Sequence, residues 1–579
     1  MEFSQVGAGF ADGLIIGRFL GSAAMAAEGI VHPIYSISGI LSGILATGMQ
    51  VRCSQAIGRG NHKEFCSYVS IASIAGIITA LCLSGAVIIF SQPITVALGA
   101  SGNAAHLSSL ASSYLTGLGI GIPSLIMTAI LAPAISLDSG NKTIQIGALI
   151  ETITNILLDL LAVKLDMGLF GIGLATSIAS YTNLIFQCSF FLKKDRILHF
   201  VKPDISVKDF FRMLGNGSEK ATRRLANTIR PVVLNSIIIS SGGVAAMSSL
   251  AVRNNLANFV EIIPSGIAYA VSLLSGVFIG EINEKGVKKV GSFAHKMIGI
   301  VSCLACILMF ILARPIAGLY ITDDNEALSL TAFVIRMLAL QNPLQALILS
   351  RIKYLQAVRK NTNVNILTVA TQFVFVLICA LTLGKLFGVY GILACFTVSD
   401  ALTLLSIYIF YAVKSRKIIP GVSDYLGLSE EFHISPKDVI SLDIRDKNEV
   451  SLASEQIMLF ANGHQINRKT SFFAALCFEE LAMEIINKGF DSVRKNNPMI
   501  DLRVVITEDT FVIKLRDNCP KYDITRQIAK ANEEGTDHVS SIGIRIVSRT
   551  ASDISYLRTF DTNSIIIRFN ISAMETSKQ

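Results

Sequence analysis

The sequence predicts an all-α polytopic membrane protein, with 12 transmembrane helices in two pseudo-symmetric six-helix bundles, followed by a soluble α/β sandwich. Three observations predict it. Mean hydropathy is +0.56 and only 16% of the 579 residues are charged, where a soluble domain carries about 25%. Apolar windows long enough to cross a bilayer recur as far as residue 413. Beyond that point the chain turns polar and Gly/Pro-punctuated, and then shows short apolar alternation, the pattern of half-buried strands.

In order, the windows are 30–51, 69–90, 110–131, 144–163, 172–192, 232–251, 256–279, 297–312, 328–349, 366–383 and 389–413. Residues 3–20 supply a weaker twelfth, interrupted by Asp12 and Arg18 and lacking the features of a signal peptide. Only about 16 Å of helix can precede Asp12 at 1.5 Å per residue, so an upstream start codon or a truncated gene model is expected.

The formal charge of +8 is informative through its placement. Basic residues gather at Arg52, Arg59 and Lys63, at Lys142, in 193–224, 285–289 and 351–360, and at Arg416 and Lys417, whereas 91–106, 240–246 and 318–326 are almost free of them. Basic loops face the cytoplasm. Both termini are therefore expected there, in a multi-pass protein of the cell membrane, which requires an even number of spans. Orientation accounts for most of the positive charge, so no nucleic-acid partner is called for.

An internal repeat sets the domain limits. At a shift of 222 residues Gly21-Ser-Ala-Ala-Met25 falls on Gly243-Val-Ala-Ala-Met247 and Gly58 on Gly280; at 220, Gly168-Leu-Phe-Gly171-Ile falls on Gly388-Val-Tyr-Gly391-Ile. The resulting plan is an N-lobe at 1–200, a linker at 201–222, a C-lobe at 223–415, a second linker at 416–435 and a soluble domain at 436–572. In transporters built of such repeats, binding sites lie within or between the halves.

The fourth window carries the most telling polar pattern. Glu151, Asn155 and Asp159 are four residues apart and so share one helix face. An ionised carboxylate at mid-membrane costs at least about 2.5–3.5 kcal/mol, so the stripe should face a polar cavity or a cation. Glu261 and Asp400 either line the same pathway or make interhelical hydrogen bonds. Arg253, Asn254, Asn255 and Asn258 form a polar cluster that reads as a wet vestibule. Most of the ten cysteines lie in apolar windows, and Cys477 and Cys519 in the tail; no disulfides are expected, and Cys303-x-x-Cys306 reads as two packing residues.

The run Asp12-Gly-Leu-Ile-Ile-Gly17-Arg-Phe-Leu-Gly21, then Ala23 to Ala27 and Ser54-Gln55-Ala56-Ile57-Gly58, resembles the first two helices of the multidrug and toxic compound extrusion (MATE) family. Asp138-Ser-Gly140-Asn-Lys142-Thr, Asn155-Ile-Leu-Leu-Asp159 and Gly168-Leu-Phe-Gly171-Ile-Gly-Leu-Ala-Thr176 are similar to its fourth-to-sixth-helix signature. The resemblance covers residues 1 to about 415. It implies a secondary active transporter, not an enzyme, exporting organic, often cationic, small molecules against inward movement of Na+ or H+. It also implies a coupling-cation site at Asp12, Asn155, Asp159 and Thr176, with Na+ held at Asp12, Asn155 and Asp159. Hard cations need such oxygen ligands, and Ser177 is an alternative to Thr176. The seventh-helix Glu of another branch has no counterpart in Asn227-Thr-Ile-Arg230.

In the tail, Glu479-Glu480 through Glu484 to Asn487-Lys-Gly489, Arg516-Asp517-Asn-Cys519-Pro and Ser541-Ile-Gly543 are similar to the Bergerat-fold (GHKL) ATPases, especially anti-sigma-factor kinases. The resemblance implies a nucleotide site at Glu480, Glu484, Asp517 and Gly543. However, Glu484 stands where the family has its Mg2+-holding Asn, and Cys519 replaces a glycine. No cofactor is required for transport, and ATP with Mg2+ is doubtful; a degenerate module that binds a cytoplasmic protein partner is the favoured reading. Two other functions stay open: a lipid-linked precursor flippase of the same superfamily, and a transporter-like sensor that signals through the tail.

Overall fold

The computed structural model describes residues 9, 11–13, 15–98, 107–192, 196–320, 325–416, 436–490, 498–507, 510–526, 549–559 and 562–571. Two compact units emerge. One comprises Met1–Arg59, Lys63–Ser136 and Gly140–Glu431, and the other Phe432–Gln579 with Gly60–His62 and Leu137–Ser139.

The first unit is helical. Its elements are α1 (Ser22–Gly58), α2 (His62–Ile89), α3 (Ser108–Leu137), α4 (Asn141–Lys164), α5 (Gly168–Cys188), α6 (Val207–Asn216), α7 (Ser218–Val260), α8 (Ile262–Gly280), α9 (Glu284–Met297), α10 (Cys303–Ile311), α11 (Asn325–Ala357), α12 (Asn361–Val369) and α13 (Phe375–Ser415). Among the described residues nine helical stretches are long and apolar enough to span a membrane. The last, Asn361–Lys414, is 54 residues long and is broken at Gly388, where φ is 59° and ψ −139°. Only glycine takes such a conformation without strain. Ser399 Oγ reaches Thr371 O at 3.4 Å, so the two arms fold back on one another.

Several connections differ from the expected loops. Residues 91–106 contain a helix at Ser91–Ala97, and Ala313–Tyr320 forms another. The bounds of α7 run through the loop expected at 240–246, yet its Arg230 and Arg253 lie 5.2 Å and 3.6 Å from the same Phe396 ring; a straight helix between them would be about 34 Å long, so the chain turns back between these two residues, as the expected connection requires. The linker expected at 201–222 holds α6, whose N-cap Ser206 accepts from the Asp209 amide at 3.1 Å, which satisfies an otherwise orphaned donor.

The second unit is an antiparallel sheet with two helices. Strands β1 (Val439–Ile444), β2 (Ile500–Ile506), β3 (Thr510–Asp517), β4 (Asp553–Thr559) and β5 (Thr562–Asn570) lie in the order β1-β2-β3-β5-β4. Helices α14 (Lys447–Gly463) and α15 (Arg468–Gly489) complete it. Alternate strand residues such as Leu502, Val504, Ile513, Leu515, Ile565 and Ile567 share one core with Ile457, Phe478, Leu481 and Ile485 of the helices, as the period of two requires. Residues 549–550 are helical and β4 begins at Asp553; residues 527–548 lie outside the described residues.

Candidate functional site

The α4 stripe turns inward. Asn155 and Asp159 are 3% and 0% exposed, while Leu149, Ile153, Leu157 and Leu160 on the other faces stand out toward the surroundings. Asn155 Nδ2 donates both its protons, to Asp12 Oδ1 at 2.6 Å and to Asp159 Oδ2 at 2.8 Å. One amide therefore joins two carboxylates from the start of the chain and from α4. Asp159 Oδ1 is buried without a hydrogen-bond partner. An orphaned carboxylate oxygen beside a second carboxylate is an unfavourable arrangement that a proton or a small hard cation relieves. Among the described residues no group of three or more His, Cys, Asp or Glu side chains is placed to hold a metal, so any cation here would depend on the Asn155 oxygen or the backbone as well.

Sequence reasoning missed three contributors. Tyr35 of α1 lies within electrostatic reach of Asp12, Glu28, Glu151 and Asp159, and Tyr114 of α3 within reach of Tyr35 and three of those acids. Glu28 of α1 is itself close enough to feel Asp12. An isolated Glu near a helix start and a Tyr between apolar residues carry no distinctive spacing, so only the fold reveals that they converge.

The remaining expected residues fall elsewhere. Thr176 Oγ1 donates to Ile172 O one turn back at 3.1 Å, and Ser177 Oγ to Gly117 O at 2.7 Å. Glu151 accepts from Asn183 Nδ2 of α5 at 2.7 Å. Glu261, at the break between α7 and α8, is ion-paired with Arg223. Asp400 of α13 accepts from Gln341 Nε2 of α11 at 2.9 Å, and Gln341 Oε1 in turn accepts from Arg253 Nη2 at 2.8 Å. Arg253 and Asp400 are 6% and 4% exposed, so this part of the expected vestibule is a buried hydrogen-bonded chain, while Asn254 and Asn255 are exposed.

In the tail, Glu480 of α15 is exposed. Glu484 Oε1 accepts from the Tyr522 hydroxyl at 2.9 Å and is ion-paired with Lys488. Asp517, 2% exposed, accepts at one oxygen from Cys519 N at 2.9 Å and Asn563 Nδ2 at 2.8 Å. Burial pushes its carboxyl above the usual carboxylate range, and these hydrogen bonds oppose the shift. Burial likewise pushes the Cys519 thiol up to about 12. Gly543 lies outside the described residues.

Comparison with known proteins places this architecture. The chain is 22% identical over 414 residues to the multidrug export protein MepA of Staphylococcus aureus, covering 69% of this chain and 88% of that one. Its fold is similar to a crystal structure of a MATE protein in complex with MaL6, with a TM-score of 0.65 at 18% identity over 70% of this chain and 90% of that one. A mutant of the Vibrio cholerae MATE transporter VcmN gives 0.66 at 16% identity, over 72% and 94%. The MatE family model matches two blocks, residues 1–161 and 223–382, which begin 222 residues apart and together make up more than half of the sequence; the chain belongs to the MATE family.

Proposed function

We propose that the protein is a cation-coupled exporter of organic, drug-like small molecules, working by alternating access between two six-helix lobes and regulated by its C-terminal domain. The observation that carries this reading is the Asp12–Asn155–Asp159 cluster. Two carboxylates bridged by one amide, with an oxygen of Asp159 left unpaired and buried, form a site whose charge state changes when Na+ or H+ enters or leaves. A cation that binds one transporter state better than the other shifts the equilibrium between them by that difference in affinity. Asp12, Asn155 and Asp159 would hold the ion, and Glu151, Tyr35 and Glu28 surround its route. The name of the relative MepA supports multidrug export as the activity.

The tail reads best as a degenerate ATPase-like module. Asp517, one residue of the implied nucleotide site, is engaged by its own domain, and Glu484 is engaged by Tyr522 and Lys488. Its role would be to bias transport through a cytoplasmic partner, with the gradient supplying the energy.

The test is efflux from proteoliposomes under separately imposed Na+ and pH gradients. Asp12→Asn and Asp159→Asn should each abolish gradient-driven efflux while the protein stays folded. Wild-type efflux in either well-expressed variant would remove the site.

A further inference from the structure

The helical hairpin of the second unit exposes apolar side chains that its own core does not use. Helices α14 and α15 run antiparallel around the turn at 464–467, with Ser454 Oγ donating to Ala475 O at 3.3 Å. Their inner faces, with Ile457, Ala461, Phe478 and Leu481, pack into the core. On the outer face Leu459 is 62% exposed and Phe472 54%. Leu459 lies four residues before the end of α14 at Gly463, and Phe472 four residues after the start of α15 at Arg468, so the two stand at the same level near the tip of the hairpin. Large apolar side chains grouped on a surface mark a contact with another molecule or with a membrane.

Cations predominate around this tip. Arg468 and Lys469 are exposed one turn before Phe472, and among the described residues neither side chain has a hydrogen-bond or ion-pair partner. No Asp or Glu occurs between Glu455 and Glu479 in the sequence. Asp438, which reaches the tip from just before β1, is already bonded to His464 Nε2 at 3.1 Å. Farther from the tip the outer face turns acidic, at the exposed Glu455 and Glu480. Two cations in the first turn of a helix also oppose its dipole, which favours negative charge there. Their position costs the isolated domain stability, and an external anionic surface would offset that cost.

We propose that the tip of the α14–α15 hairpin docks on an anionic phospholipid surface, with Leu459 and Phe472 at the edge of the acyl chains and Arg468 and Lys469 on headgroup phosphates. Apolar side chains flanked by Lys and Arg are the composition of segments that lie in a membrane interface. A membrane is also the occupant always at hand. Residues 416–435 link the domain to α13, a segment that reaches at most about 70 Å, and α13 lies in a stretch long and apolar enough to cross a bilayer. A surface reached through such a tether needs far less intrinsic affinity than a dissolved partner does. Docking of this kind is independent of whether the membrane unit transports.

The sequence contains no tryptophan, so Phe472→Trp gives the full-length protein a single indole reporter at the tip. The protein is reconstituted in vesicles of phosphatidylcholine with or without phosphatidylglycerol, each carrying acyl-brominated lipid as quencher. Ser451→Trp, exposed on α14 about 18 Å from its tip end, is the control. In the anionic vesicles the Phe472→Trp emission should be blue-shifted and quenched, and the Ser451→Trp emission should not. Adding Arg468→Glu with Lys469→Glu should lower the docked-to-free ratio about tenfold or more. Raising salt to about 1 M, where charges are screened within about 3 Å, should do the same without any charge variant, so the test survives if that variant folds poorly. Quenching confined to anionic vesicles and lost when the charges are reversed or screened supports docking. Unshifted, unquenched emission overturns it, as does quenching of equal depth in neutral vesicles or at both reporters. A blue shift without quenching by the lipid means that protein, a second copy or another chain, covers the patch, and equally overturns it.

Discussion

Gln50 Nε2 of α1 donates to Ser272 Oγ of α8 at 3.2 Å, across a separation of 222 residues. That separation is the repeat offset, so each residue touches its own counterpart, as happens only near the axis relating two copies. Gly58 and Gly280 are a second such pair: a methyl at Gly58 would overlap the Val277 oxygen and the Gly280 Cα, and one at Gly280 would overlap the Gln55 oxygen. Backbone can approach backbone here because both residues are glycine. Gly58→Val should therefore force the two helices apart and cut efflux more than tenfold at normal expression, whereas Gly85→Ala, in open space, should leave it within about twofold. Fluorescent-substrate efflux in matched membranes checks both.

Lys353 Nζ of α11 meets Glu219 Oε2 of α7 at 2.8 Å, with Glu219 wholly buried. Removing one partner of a buried pair strands the other and costs about 3–5 kcal/mol, while removing both can be nearly neutral. Lys353→Met should be strongly destabilised in detergent melts, and the double variant with Glu219→Met should recover most of the loss. A single variant as stable as the wild type would mean the pair is solvated.

Asp517 gives a pH dependence of defined sign. Its folded value is raised by burial, so the ionised form is penalised in the folded tail. Wild-type tail stability should be greatest below the unfolded carboxylate value and fall as pH rises through the raised one. Asp517→Asn keeps an acceptor for Asn563 and removes the charge. Hydrogen exchange of the β3 amides in the full-length protein should be slower in the variant at pH 7 and nearly equal to wild type at pH 4.

Tail and gradient should separate experimentally. Deleting 430–579 should leave gradient-dependent efflux detectable with a modest change in rate, on the scale of about 1–3 kcal/mol for allosteric coupling. The full-length protein should bind ATP with Mg2+ no more tightly than about 1 mM. Micromolar binding by calorimetry, or substrate pumping only during ATP hydrolysis, would reverse the assignment.

Much of this was legible because membrane segments and charged stripes leave strong periodic signals. The spacing of Glu151, Asn155 and Asp159 marked an inward face, and the structure turns Asn155 and Asp159 inward as that spacing requires. Glu28, Tyr35 and Tyr114 were not legible, since their proximity arises from packing between helices distant in sequence. The nearness of Arg230 and Arg253 was not legible either: they lie well apart in the sequence, and only the fold brings both against the Phe396 ring. Strand β3 is not legible as an alternating pattern because Phe511, Val512 and Ile513 are buried in succession, which erases the alternation that marks a half-buried strand.

The reversal at Gly388 bears on how the protein is made. Its two arms are joined without a loop, and Ser399 finds its acceptor at Thr371 within the same stretch. A ribosome-fed translocation channel would therefore have to release residues 361–414 as one hairpin, with the first arm retained until the second has emerged. Asp400, in the second arm, would then enter lipid already beside a partner helix rather than alone, which ties the membrane assembly of this half to a single glycine.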